Sequence, residues 1–415
     1  MTTFQRSKLP SFDVSPLRGD SKEGGDVLLI SGGGGKTKSG VLNSIEVARG
    51  GPRGLEYENG HETGVHLCNS LATGKWGTDE FIAGGFSGDC GVYAVTREGS
   101  GIRLNEVVRF KADFSTSEDG ADLKCSCFVT RGTADDSSDD MHLVTGGEDG
   151  TVRLWKLIAS KGGGQGLAAE KVCDLAVHGA PVMSLSAAPQ GAQMGDWVLS
   201  ASKDGTLAVW DTGKCCEVDT HKAVAAPGTG GKTECRSAVF SSGGSRAHAI
   251  LCGRQSTRLA SYDVRDGGLT LSNSVCIAKV ASTRMVVNSG GRYVGIGLAS
   301  GEVAVYAADS LSLLTKRQVH SFTVTGLAFF TAEDGCEALV SVSVDSQVVV
   351  TRLSDLTDVM YQYAHRYLPQ SLIEPDSLFG NAMLRKHVVA ILFVQLLLYM
   401  LLCHLREKEE QAGRQ

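Results

Sequence analysis

The sequence has no Cys-x-x-Cys pair, no Asn-x-Ser/Thr sequon and no Lys/Arg-rich block ahead of Asn381, and only 8 of its 415 residues are proline. Each absence closes off a class. Without paired cysteines the 12 thiols build no zinc framework; the nearest neighbours, Cys125/Cys127 and Cys215/Cys216, lack ligand spacing. They read as reduced, mostly buried thiols of a cytosolic domain, and the missing sequon agrees with a domain that never meets the secretory lumen. A net charge of -6 without a basic block argues against a phosphate backbone as partner, so no nucleic acid is expected. The N-terminal stretch "MTTFQRSKLPSFDVSPLRGDSKEGGD" is too polar for the apolar core of a secretory signal. No carboxylate cluster supports a calcium site.

What the chain does have is glycine, 52 residues of it, and one run stands out: "SGGGGKTKSGVLNSIEV" at 31–47. A phosphate-binding loop needs G-x-x-x-x-G-K-[ST] leaving a strand and opening a helix. Five residues before Gly35 stands Ile30, not glycine, and the following "VLNSIEV" returns as a strand. The second near match, "GTGGKT" at 228–233, has Ala226 in the same place. Neither loop reads as a nucleotide site, and no small-molecule substrate is expected. Glycines admit φ > 0 and tight reversals, so the first run predicts a protruding loop with exposed backbone carbonyls.

Around this loop one phrase recurs: an apolar run, small residues, a polar turn, then an alternating run that often ends in an aromatic. Copies are "FIAGGFSGDCGVYAV" (81–95), "LVTGGEDGTVRLWKL" (143–157), "VLSASKDGTLAVWDT" (198–212), "AILCGRQSTRLASYDV" (249–264), "YVGIGLASGEVAVYAA" (293–308) and "ALVSVSVDSQVVVTRL" (338–353). "VLLISGGGGKTKSGVLNSIEV" is a seventh copy with a swollen turn. Aligned on Gly88, Gly150, Gly205, Ser256, Gly301 and Ser346, the copies recur at intervals that shorten along the chain. Period-two alternation about a turn is a hairpin signal, and strand repeats at such intervals predict an all-β, seven-bladed propeller that closes its own sheet edges. "HGAPVMSLSAAPQ" (178–190) before the fourth copy resembles a WD repeat, with His178, Asp204 and Trp210 in structural positions, and "HSFTVTGLAFF" (320–330) resembles another. The histidines are therefore expected to serve the blades, not catalysis. The segments 131–140 and 160–170 read as surface loops.

From Val388 to Leu405 the chain carries no Asp, Glu, Lys or Arg. As a helix this stretch would span about 27 Å, and it is apolar around its whole circumference, which predicts a transmembrane helix. The expected order is a cytosolic propeller (1–360), a juxtamembrane linker (361–387), a transmembrane helix (388–405) and a short lumenal tail (406–415). Flanking charge does not settle the orientation, since Arg385 and Lys386 face Arg406, Lys408 and Arg414. The head is placed in the cytosol because nothing near the N-terminus could translocate it.

Seven blades, a glycine-swollen turn in the first and a C-terminal anchor together resemble the endoplasmic-reticulum WD-repeat exchange factors of the prolactin regulatory element-binding protein family. Gly32 to Gly35, Gly40 and Asn43 match that family's loop in identity and spacing, whereas Leu42 stands where proline is common. The resemblance implies activation of the small GTPase that recruits the COPII coat, by promoting GDP release without covalent chemistry, at the endoplasmic-reticulum membrane. It implies further that Asn43 is the exchange-promoting contact, that Val41 and Leu42 offer apolar contact, and that a potassium ion organises the loop through backbone oxygens of Gly34, Gly35 and Gly40. Read without the resemblance, Asn43 is an ordinary Asx-turn residue. Two rivals share the sequence pattern: a membrane propeller that assists cargo exit without exchange, and a tail-anchored scaffold.

Overall fold

Each recurring phrase folds as the middle hairpin of a four-stranded antiparallel sheet, and the described residues hold seven such sheets. The computed structural model describes residues 2–353 apart from 19–24, 36–39, 52–53, 99–100, 119, 131–140, 161–165, 190–195, 223–232 and 266–267. Blades one to six occupy 11–64, 70–111, 123–177, 182–222, 234–278 and 282–318. Blade seven takes 324–352 and borrows its outer strand, Thr2–Arg6, from the other end of the chain.

The second strand of a blade is packed on both sides, so it reads as a continuous apolar or small run: Val27–Gly32, Met141–Gly147 and Trp197–Ser202 are buried at every position. Outer strands such as Cys216–Lys222 keep one face in water and carry the charge. The core lies between blades. In blade one, Leu28, Ile30 and Ala48 pack against Phe330 and Val340 of blade seven, while Leu29, Ile45 and Val47 pack against Ile82 and Tyr93 of blade two. The innermost strands surround a cavity of about 450 Å³ where Asp13, Arg236 and Arg284 put charges of both signs.

The polar N-terminal stretch supplies two strands. Thr2–Arg6 pairs with Gln347–Arg352, Thr3 opposite Val350. Gln5 then clasps blade one: its Nε2 donates to the Leu55 carbonyl at 2.7 Å and its Oε1 accepts from the Leu55 N–H at 2.8 Å. Ring closure thus satisfies the edge that an open sheet would leave bare.

The WD histidines sit inside closed networks. His178 Nε2 and the Trp210 indole N–H both meet Ser200 Oγ, at 3.0 and 2.8 Å, and Asp204 accepts from the Gly179 and Thr206 N–H groups at 2.8 and 2.7 Å. His320 repeats the pattern with Ser341 Oγ at 2.9 Å and Asp345 at 3.3 Å.

One expectation is corrected. The segment 160–170 is not a loop throughout, because strand Leu167–Val177 begins inside it and pairs Ala169 with Leu157 and Glu170 with Lys156. Its alanines are poor strand formers in isolation, and pairing at the outer edge of blade three overrides that preference. Segment 131–140 lies outside the described residues, as do the linker 361–387, the stretch 388–405 and the tail 406–415. Among the described residues no helix is long and apolar enough to cross a membrane.

Candidate functional site

The glycine-rich loop joins two buried strands of blade one, Val27–Gly32 and Asn43–Gly51, whose register places Gly32 opposite Ser44. In blade four the matching connection is the short turn between Ser202 and Thr206. In blade one the whole of 33–42 does that task.

The loop is fixed at its base. The Gly33 N–H donates to the Pro10 carbonyl at 3.0 Å, in the segment that follows the ring-closing strand. Gly33 has φ +143°, and a Cβ there would lie 2.6 Å from Asn43 Cα and 2.9 Å from the Leu42 carbonyl oxygen, so no other residue fits. Gly35 and Gly40 are also left-handed, at φ +69° and +75°, with open space around each.

Asn43 opens its strand opposite Gly64, beside a bulge, and is only 3% exposed. Its side chain is turned inward. Oδ1 accepts from the Gly35 N–H at 2.8 Å, while Nδ2 donates to the Gly35 carbonyl at 3.1 Å and to the Gly64 carbonyl at 3.0 Å. Both amide protons and one acceptor position are therefore engaged within blade one, and the residue ties the loop to the end of the outer strand Gly54–Gly64. This arrangement is wider than the local Asx turn that sequence alone suggests.

Leu42 immediately before it is 62% exposed, an apolar side chain held in water beside the root of an anchored loop. Val41 is half-buried and Gly40 exposed. Gly34 and Gly35 are half-buried. Val65, just past the Gly64 that Asn43 holds, is 67% exposed. Sequence reasoning missed Val65; the signal available was a lone valine between polar neighbours in "HETGVH", which has no meaning until Gly64 and Asn43 are seen to pair.

Beside the loop runs a groove of about 440 Å³ whose walls include Lys8 and Leu9 from the segment after ring closure, Leu42 from the loop, and Glu46 and Glu62 from the two outer strands of the blade. Glu46 was also missed, being one acidic residue in an otherwise strand-like "SIEVA". Burial pushes its carboxyl pKa up, opposed by the positive charge of Lys8.

Among the described residues no group of three or more His, Cys, Asp or Glu side chains could hold a metal ion. The described cysteines form no disulfide.

Comparison with known proteins gives two findings. The family pattern described as "WD domain, G-beta repeat" matches residues 131–156 and 169–211, in blades three and four. Over 398 residues the chain is 23% identical to "Guanine nucleotide-exchange factor SEC12" of Rattus norvegicus, and over 406 residues 25% identical to the protein of the same name from Mus musculus. Each alignment covers 81% of this chain and 87% of the relative. The chain is a seven-bladed WD-repeat propeller homologous to the SEC12 guanine nucleotide-exchange factors.

Proposed function

We propose that the protein is a guanine nucleotide-exchange factor that activates the small coat-recruiting GTPase at the endoplasmic reticulum and so starts COPII vesicle formation. The observation that carries this reading is an exposed Leu42 on a loop locked at its root by Asn43, on a propeller homologous to guanine nucleotide-exchange factors. An apolar residue on such a pinned loop, or prong, offers a partner a contact that is already ordered before binding.

The mechanism follows from linkage. A factor that binds the nucleotide-free GTPase more tightly than the loaded one weakens nucleotide affinity by the same factor, so no covalent step is needed. Leu42, Val41 and Val65 would offer the apolar contact. Asn43 would position that contact by holding Gly35 and Gly64 together, and would meet the GTPase only if one of its internal bonds were exchanged for one to the switch region. With Leu42 in place of proline the backbone before Asn43 lacks a fixed φ, so the side-chain clamp carries more of the ordering.

The loop's donor set fits a potassium ion: its described residues offer neutral carbonyl oxygens in a left-handed, Cβ-free backbone, and a large monovalent cation accepts such ligands. Gly34, Gly35 and Gly40 would hold it through their carbonyl oxygens, and its charge would offset the partial negative charge of those oxygens. The apolar stretch 388–405 would confine the head to one membrane, so that activated GTPase is deposited there.

Release of labelled GDP from the coat GTPase tests the reading with the full-length protein. Acceleration that is lost in Asn43→Ala is the expected outcome. No acceleration by the unaltered protein would leave a cargo-exit or scaffold propeller as the better description.

A further inference from the structure

Glu46 is 8% exposed, yet its Oε2 has no hydrogen-bond partner among the described residues. Buried carboxylate oxygens are normally satisfied, because leaving one bare costs the full desolvation of the charge. Glu46 lies on the wall of the groove beside the prong. The titratable groups lining that groove are Lys8, Glu46 and Glu62, two carboxylates against one ammonium. Lys8 is exposed, and no ion pair joins it to Glu46 among the described residues.

The position is unusual for the fold. In blade four the residue on the same strand and the same face, toward the preceding blade, is Ala208, packed beside Trp210 in the apolar contact with blade three. Blade one has Glu46 there, paired with Gly60 across the sheet, where no side chain can cover it. The groove's lining includes two apolar side chains, buried Leu9 and exposed Leu42.

From this geometry we infer that Glu46 is the docking site for one basic side chain, arginine or lysine, of the GTPase partner, whose apolar stem runs along a groove lined by Leu9 and Leu42 while its charged head meets the Glu46 carboxylate at the groove wall. The inference rests on the exchange-factor reading. Charge complementarity selects a basic group: an acidic or neutral side chain would leave the buried carboxylate uncompensated, whereas a guanidinium or ammonium replaces the water it lost on folding. A long basic side chain also matches a groove lined by both apolar side chains and carboxylates.

The test is binding of the nucleotide-free GTPase to the full-length protein, read alongside thermal melting. Glu46→Gln is expected to weaken binding about 10- to 100-fold and to flatten its salt dependence, the range for removing one partner of a buried charge pair. Its melting temperature should hold or rise, because an unpaired buried charge is removed. Glu46→Lys should weaken binding further. Unchanged binding in Glu46→Gln would overturn the inference while leaving exchange activity to stand. A clear fall in melting temperature with unchanged salt dependence would overturn it too, by revealing a structural role. The chain's own loop lysines are the competing occupant. If Glu46→Gln has no further effect in a Lys36→Ala/Lys38→Ala background, the carboxylate serves the loop and not a partner. Failure of the unaltered protein to bind the GTPase at all would remove the exchange-factor reading itself, and this inference with it.

Discussion

Blades one and four are built from the same phrase and put their polar residues to opposite uses. In blade four and the connection leading into it, His178, Ser200, Asp204 and Trp210 close on one another, so that each polar atom named above finds its partner there. Blade one has Ile30 where blade four has Ser200, and Ala48 where it has Trp210. No tetrad can form there. Its polar groups instead pin a long loop and leave a carboxylate without a hydrogen-bond partner on the wall of a groove. A network that closes on itself holds the fold; one left open at the surface is available to something else.

Four outcomes would break or sharpen this contrast. The largest is expected in blade four: Trp210→Ala removes a 5%-exposed indole and its bond to Ser200, and should destabilise the protein by about 3–5 kcal/mol. Calorimetry reads the loss, and exchange per folded molecule should be unchanged. If exchange fell in proportion to stability, the two blades would not be separable.

Asn43→Ala should reverse that balance. Losing three hydrogen bonds at the root of the prong is expected to lower exchange about 30- to 100-fold, equivalent to about 2–3 kcal/mol, with a smaller change in melting temperature. A large drop in stability with normal exchange by the remaining folded protein would show the clamp to be part of the scaffold.

Acid should attack the buried histidines first. Burial lowers the His248 pKa to about 4, and burial likewise lowers His178 and His320, with Asp204 and Asp345 opposing. The unfolded chain, titrating near 6.5, then binds more protons than the folded one. Stability is therefore full above about pH 6.5 and falls as pH drops toward 4, with His248 alone contributing about 2 kcal/mol of loss between pH 7 and 5. Denaturant midpoints across that range check the sign; a midpoint that rose on acidification would contradict it.

The smallest effect is at Leu42, beside the loop's root. Leu42→Ser exchanges an exposed apolar contact for a polar one, and should cost about tenfold in exchange, roughly 1.5 kcal/mol, while melting stays within about 0.5 kcal/mol of the parent. An unaltered exchange rate would move the contact surface elsewhere on the propeller.

The fold was legible because each blade repeats its middle hairpin, and a continuous apolar strand beside an alternating one is a physical signature of burial on two faces and then one. Thr2–Arg6 was not legible: "TTFQR" has no alternation of its own and becomes a strand only because Gln347–Arg352 would otherwise present a bare edge. The loop was legible from its glycines, since Gly33, Gly35 and Gly40 all take left-handed φ. Where the Asn43 side chain points was not, because its partners Gly35 and Gly64 lie 8 and 21 residues away in sequence. Glu46 and Val65 were invisible for the same reason: their meaning depends on what lies across the sheet or across the ring.

Ring closure carries a consequence in time. The prong belongs to the first blade to leave the ribosome, yet its root leans on Pro10, and the preceding closing strand needs Gln347–Arg352 before it has a place to pair. Bringing Thr2 beside Thr351, nearly the whole propeller sequence apart, is the slow, entropically costly step of such a topology. A half-made chain therefore holds Pro10, Asn43 and Gly64, which fix the loop, but not the partner of its first strand, and the last blade to be synthesised decides when the first joins a closed ring.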